Sequence, residues 1–330
     1  MRTCHSRGVS RLVALALPLA CAAALPLDAQ APDQAPEIAT TVAFTEGPTP
    51  DRAGNIYFTD IINQRIMEVG TDGNLSIYRE HSNAANGLLI DSQDRLIACE
   101  GALFERPGVK VEGKRQITRT DLKTGKIEIL ADNYMGKPFE GPNDATLDGK
   151  GRIYFTDLAG SAVYRLDPLP NGGVSRPVRL LAAPTIQRSN GIQISPDDKK
   201  LYVVEANGAK GGARQISAFD LAPDGSVSAS SKKLHYNFSP GRSGDGMSID
   251  TQGNLWVSAG MNQLRGTDET LANKTGIYVI SPAGKLLKFI PIPEDLITNN
   301  TFAGPDRKTM YITAGKTLYK IRTDVAGMAR

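Results

Sequence analysis

Chemistry that depends on imidazole or thiol finds little to work with in this chain, which has only three histidines and three cysteines among 330 residues. Cys4, His5 and Cys21 fall within the first 29 positions, leaving Cys99, His81 and His235 for the remainder. One thiol excludes an internal disulfide framework and a cysteine-rich zinc site. Cys99, inside the apolar "RLIACE", reads as a small buried hydrophobe. Neither remaining histidine belongs to a recurring motif, so a Ser-His-Asp triad has no evident base. The glycine patterns of phosphate loops and dinucleotide-binding turns are missing too.

An excess of one charge is also lacking. The formal charge is +3, and setting aside Arg2, Arg7, Arg11 and Asp28 leaves 35 basic against 34 acidic residues. That balance gives no reason to expect a nucleic-acid partner. Long apolar runs are absent except for "LVALALPLACAAALPL", which follows the arginine-bearing "MRTCHSRGVSR" and precedes the small-residue "LDAQ". Residues 1–29 are therefore read as a secretory signal peptide cut after Ala29, which places the mature chain in the periplasm or outside the cell. The run is shorter than the roughly 20 residues of a spanning helix and contains Pro18 and Pro26, so no membrane span is expected after cleavage. A lipid anchor on Cys21 stands as the alternative. Residues 30–330 are expected to form a single domain.

What the chain has in abundance is one sentence written six times. "GNIYFTD", "DRLIACE", "GRIYFTD", "KKLYVVE", "GNLWVSA" and "KTMYITA" are variants of one strand, centred on Tyr57, Ile97, Tyr154, Tyr202, Trp256 and Tyr311. The centres lie 40, 57, 48, 54 and 55 residues apart. A second apolar alternation precedes each, joined to it by an Asp-x-x-Gly-like turn, and two more strand-like runs follow. Four antiparallel strands per unit, repeated six times, predict an all-β, six-bladed β-propeller. The last unit, ending at "TLYKIRT", has only three strands, so "EIATTVAF" (37–44) is expected to supply the fourth and close the ring. The polar segments 104–115 and 205–214 are candidate rim loops.

Ahead of every central residue, 11 or 12 positions back, stands an oxygen-bearing side chain: Glu46, Asn86, Asn143, Asn190, Asp245 and Asn300. Asn-Gly and Asp-Gly are common turn signals, but Glu46 in "FTEGPTP" and Asn143 in "EGPNDATL" are not part of such dipeptides. Equivalent entrances of inner strands face one another around a propeller axis, so these side chains are expected to converge. Convergent carboxylate and carboxamide oxygens, without His or Cys, describe a site for a hard divalent cation, Ca²⁺ first, with Zn²⁺ or Mg²⁺ as alternatives. A cation left open there suits hydrolysis of an ester-like bond.

Seven ordered segments carry a resemblance: "EGPTPDRAGNIYFTDIINQRI", "ANGLLIDSQDRLIACE", "RQITRTDLKTGKIEILAD", "GPNDATLDGKGRIYFTD", "SNGIQISPDDKKLYVVEA", "GDGMSIDTQGNLWVSA" and "AGPDRKTMYITAG". In this order they resemble the gluconolactonase and regucalcin-like family of six-bladed propellers, over roughly residues 40–320. The resemblance implies a metal-dependent hydrolase that opens a sugar lactone or related cyclic ester. It implies metal ligands at Glu46, Asn190 and Asp245, with Asn143 either coordinating the ion or contacting substrate. Asp245 would also activate water, and Asn143, Glu140 and Asn86 would face the small-molecule substrate. Glu140 and the long "CEGALFERPGVKVEGKR" depart from the family pattern and alter the rim. Two alternatives remain: a phosphotriesterase-like hydrolase on the same calcium site, and a non-enzymatic binding scaffold.

Overall fold

In a computed structural model, Met1 and residues 37–101 and 113–329 are described. The segment read as a signal peptide, apart from Met1, and most of the candidate rim loop 104–115 lie outside the described residues. No helix among the described residues is long and apolar enough to cross a membrane.

The strands form six four-stranded antiparallel sheets and one small hairpin, Asn133–Tyr134 with Lys137–Pro138. The inner strands are Thr45–Pro50, Leu88–Ile90, Pro142–Leu147, Ser189–Ile194, Gly244–Ile249 and Ile297–Ala303. Each lies beside the inner strand of the next blade, and the sixth lies beside the first, so the sheets close into a ring around one channel. The expected six-bladed propeller is what the chain forms. Closure follows the sequence reading: Glu37–Thr41 pairs antiparallel with Thr317–Arg322, with Thr41 opposite Thr317.

Alternation in the strands explains the packing. Apolar residues of adjacent blades meet in separate clusters, for example Ile97, Cys99, Phe139, Phe155 and Tyr164 between blades two and three. Trp256, Ile277, Ile290 and Phe302 do the same between blades five and six. Cys99 is fully buried, as its surroundings in the sequence suggest.

The Asp of the recurring turn has a clear local task. Asp148 Oδ1 accepts the backbone N–H groups of Lys150 and Arg152 at 2.9 and 3.1 Å, and Asp250 Oδ1 accepts those of Gln252 and Asn254, both at 2.9 Å. Its other oxygen accepts from the central aromatic residue of the next strand: Tyr154 Oη at 3.0 Å and Trp256 Nε1 at 3.0 Å. An aromatic ring with a polar tip thus packs between blades while its tip ties down the turn. That is why the repeated centre is so often Tyr or Trp.

Candidate functional site

Five of the six inner strands begin with a bulge. Pro142 pairs with Asp157 and Ala145 with Phe155, so Asn143 and Asp144 together oppose a single residue. The same shift places Asn190 and Gly191 in blade four and Asp245 and Gly246 in blade five; in blade one it falls one residue later, at Gly47 and Pro48, just after Glu46, which pairs with Thr59. In blade two Asn86 and Gly87 stand just ahead of the strand, tied to Cys99 by backbone hydrogen bonds of 2.8 and 3.0 Å. A bulge breaks the ladder locally and turns side chains away from the sheet. Here it turns them into the channel mouth.

Glu46, Asn86, Asn143, Asn190 and Asp245 accordingly line one cavity of about 420 Å³, with Glu140 on its rim. Asn300 is the exception. Its side chain donates to Trp256 O at 2.9 Å and Ser258 Oγ at 3.0 Å and accepts from Ser248 Oγ at 2.5 Å, fully occupied away from the mouth. The reason is the turn that follows. Thr49 faces Tyr57 in blade one, but Thr301 faces Tyr311 in blade six, across a turn two residues longer. Counting back a fixed 11 therefore lands past the bulge; the residue in register with Glu46 is Thr298, which does line the cavity.

In register, the dipeptides at the mouth read Glu46-Gly47, Asn86-Gly87, Asn143-Asp144, Asn190-Gly191, Asp245-Gly246 and Thr298-Asn299. Four glycines, one Asp and one Asn thus occupy the layer beneath the mouth. Asn299 Nδ2 donates to Asp144 Oδ1 and Oδ2 at 2.9 and 3.1 Å and to Glu46 Oε2 at 3.1 Å. The glycines make room for them: a Cβ on Gly246 would fall 2.0 Å from Asn299 Cγ, and one on Gly87 would fall 2.2 Å from Asp144 Oδ1. Sequence reasoning missed Asp144 and Asn299, although the break in the glycine series could have shown both.

The electrostatics of the mouth are crowded. Burial, with the charges of Asp144 and Asp245 beside it, pushes the Glu46 carboxyl well above the ordinary range. Burial and then Asp245 push Asp144 up to about 7, while the hydrogen bond from Asn299 works in the other direction. Burial also raises Asp245, opposed by the neighbouring Arg242. Arg242 forms an ion pair with Asp245 through Nη2, and its Nη1 donates to the carbonyls of Gly260 and Ile297 at 3.2 and 3.0 Å. Three carboxylates in one buried site repel one another unless protons or a cation intervene.

The donor set fits a hard cation. Asn86 Oδ1, Asn143 Oδ1 and Asn190 Oδ1 are all buried without a hydrogen-bond partner. Buried acceptors are ordinarily satisfied, and three orphaned carboxamide oxygens beside two carboxylates are a set that a cation would complete. Among the described residues no group of three His, Cys, Asp or Glu could hold a metal ion, so a cation here depends on those amide oxygens. Replacing Asn299 by Ala removes the donor shared by Asp144 and Glu46 and is expected to cost about 1–3 kcal/mol of metal-free stability. Denaturant titration checks this; a change below about 0.5 kcal/mol would mean that the contact carries little.

The profile of the SMP-30/Gluconolactonase/LRE-like region matches residues 44–316. A gluconolactonase from Zymomonas mobilis is 27% identical over 322 residues, covering 88% of this chain and 81% of that protein. Among solved structures, a gluconolactonase from Xanthomonas campestris superposes with a TM-score of 0.68 at 27% identity, covering 87% of both chains. The calcium-binding protein regucalcin from Agrobacterium tumefaciens reaches 0.66 at 17% identity, covering 89% of this chain and 95% of its own, a likeness of fold. With the match running through all six blades, the chain belongs to the SMP-30/gluconolactonase/LRE-like family.

Proposed function

We propose that the chain hydrolyses a sugar lactone or related cyclic ester, using a divalent cation, Ca²⁺ foremost, held by Glu46, Asn190 and Asp245 together with Asn143. The observation that carries this reading is the set of buried, unpartnered carboxamide oxygens facing the same cavity as Glu46 and Asp245. The gluconolactonase relatives supply the substrate class.

When bound, such a cation polarises an ester carbonyl and lowers the pKa of water. The chain's own groups do the rest. Asp245 takes the proton of the attacking water, and Arg242, anchored on two backbone carbonyls, fixes the orientation of that carboxylate. Asn86 and Asn143 present amides to the substrate's oxygens and hold the ring in place. Glu140, whose backbone N–H donates to Asp157 Oδ2 at 2.9 Å, stands at the rim and filters what enters.

The test is turnover of D-glucono-1,5-lactone before and after chelation. A loss of at least about tenfold, restored by Ca²⁺, is expected, which is within reach of losing one electrostatic stabiliser. Turnover indifferent to chelation would overturn the role of the cation. Calcium binding without turnover of any lactone would leave the binding-scaffold reading instead.

Export belongs to the same proposal, supported by the arginine-bearing start and the apolar run up to Leu27. Protein recovered from the expressing cell's envelope is expected to have an intact mass beginning at Gln30. A chain beginning at Cys21 with added lipid mass would replace the cleaved form with an anchored one.

A further inference from the structure

The cavity that holds Glu46 and Asp245 opens into a second lobe, also about 420 Å³, which reaches Gly208, Thr267 and Glu269. Arg188, Asn190, Arg242 and Asp245 border both lobes. Arg265 adds a third guanidinium to the first. Two of these cations have carboxylate partners: Arg242 pairs with Asp245, and Arg265 Nη2 pairs with Asp295 Oδ1 at 2.8 Å. No ion pair among the described residues engages Arg188, which is exposed. The crowding of positive charge is felt locally, because burial and the neighbouring Arg242 both pull Arg265 down.

Arg188 is also held in place by its backbone. It is a non-glycine residue with φ of 45°, in the left-handed region. Its N–H donates to Ser161 Oγ at 2.9 Å, and its carbonyl accepts from Ala206 N–H at 3.1 Å. Non-glycine residues in that region are uncommon and persist where the surroundings fix them. The two contacts tie the residue at the junction of the lobes, two positions ahead of Asn190.

Charge then decides what the mouth accepts. On the proposed reading, Glu46 and Asp245 balance a divalent cation, and the Asp245 carboxylate, shared between that cation and Arg242, neutralises Arg242 less completely. Arg265 stays neutralised by Asp295, so the guanidinium without a carboxylate of its own at the junction is Arg188, with Arg242 beside it and Glu140 and Glu269 further out on the two rims. Guanidinium groups with spare donors favour planar or tetrahedral oxyanions.

We infer that the substrate carries an anionic group, a carboxylate or a phosphate, remote from its lactone carbonyl, and that Arg188 receives it at the junction of the two lobes. Arg242, which borders both lobes, supplies positive potential beside it. The inference rests on the proposed reading for the lactone and for the cation that balances Glu46 and Asp245, whereas the place of Arg188 at the border of both lobes, outside any ion pair among the described residues, does not depend on it. The neutral end of a simple sugar lactone would leave Arg188 without a partner, whereas a uronic, aldaric or phosphorylated sugar lactone gives it one.

The test uses Ca²⁺-loaded full-length protein and three ligands that share a C1 carboxylate and differ at C6: D-gluconate, D-glucarate and 6-phospho-D-gluconate. Calorimetry is expected to show D-glucarate or 6-phospho-D-gluconate binding at least about tenfold tighter than D-gluconate, the range of one charge-assisted contact. Which of the two it is separates a carboxylate from a phosphate. Arg188→Gln is expected to erase that preference, and Arg188→Lys to keep part of it, with an unchanged melting temperature showing that both variants fold. Equal binding of the three ligands, or a preference surviving in Arg188→Gln, overturns the inference. The two readings separate cleanly: an Arg188-dependent preference without hydrolysis of any lactone upholds the anion site and sinks the lactonase reading. Hydrolysis of D-glucono-1,5-lactone without any preference does the reverse.

Discussion

Asp245→Asn is expected to lower kcat for D-glucono-1,5-lactone at saturating Ca²⁺ by about 10² to 10⁴, the range for losing general-base help. Asn occupies the same volume and keeps one oxygen to offer a cation, so the change removes basicity more than shape. It also removes the ion pair with Arg242, but that guanidinium keeps the carbonyls of Gly260 and Ile297. The melting temperature should therefore fall by only a few degrees, roughly 2–4 °C for each kcal/mol lost. A purely structural aspartate predicts the opposite pattern, a clear loss of thermal stability with kcat recovered in excess Ca²⁺. Near-wild-type kcat in the cation-loaded variant would exclude Asp245 as the base and move attention to Glu46, beside it, or Glu140 on the rim.

Much of the architecture was legible because the repeat states it six times. The Asp of the turn and the aromatic centre of the next strand are one hydrogen-bonded device, so finding either locates the other. Closure by residues near Glu37 was legible because a blade with three strands leaves an unpaired edge. The site was harder. Its five convergent residues follow from counting back to the strand entrance, and the count succeeds only where the connecting turn keeps its length to within one residue. In blade six the turn is longer, and the count selected Asn300, whose side chain serves the packing of blades five and six. Asp144 and Asn299 escaped notice because each stands next to a residue that the count selected, Asn143 and Asn300. Only the ring, which brings residues 155 positions apart into one hydrogen bond, shows that they meet. Arg188, Arg242 and Arg265 were invisible for a different reason: they belong to no repeat, since each blade decorates the mouth in its own way.

The metal-free protein is expected to lose stability as pH rises from about 5 to about 7, and Ca²⁺ is expected to restore it. Asp144 has its folded value pushed up to about 7, against 3.8 for the unconstrained carboxyl, and Glu46 and Asp245 are displaced in the same direction. Between those values the native state retains a proton that the unfolded state has released, so stability is fully present below the unfolded value and declines as pH climbs through the folded one. For Asp144 alone the span is about 3 pH units, roughly 4 kcal/mol at most, or on the order of 10 °C in melting temperature. Surface carboxylates act with the opposite sign at lower pH: Asp306, held at about 2 by Arg322, gains its effect below the window and leaves it undisturbed. His235, depressed by burial against the Tyr202 ring, also opposes the trend, because its neutral form is favoured in the fold. It lies in an outer strand away from the mouth, so the difference between Ca²⁺-loaded and stripped protein removes its contribution. At low pH protons compete with the cation for Glu46 and Asp245, and the Ca²⁺-induced rise in melting temperature should be small near pH 5 and several-fold larger near pH 7. Thermal scans at the two pH values, each with chelator and with excess Ca²⁺, read this directly. An equal gain at both pH values would show that the buried carboxylates do not bind the ion. A stripped protein that grows more stable across the window would show that they are not protonated in the fold.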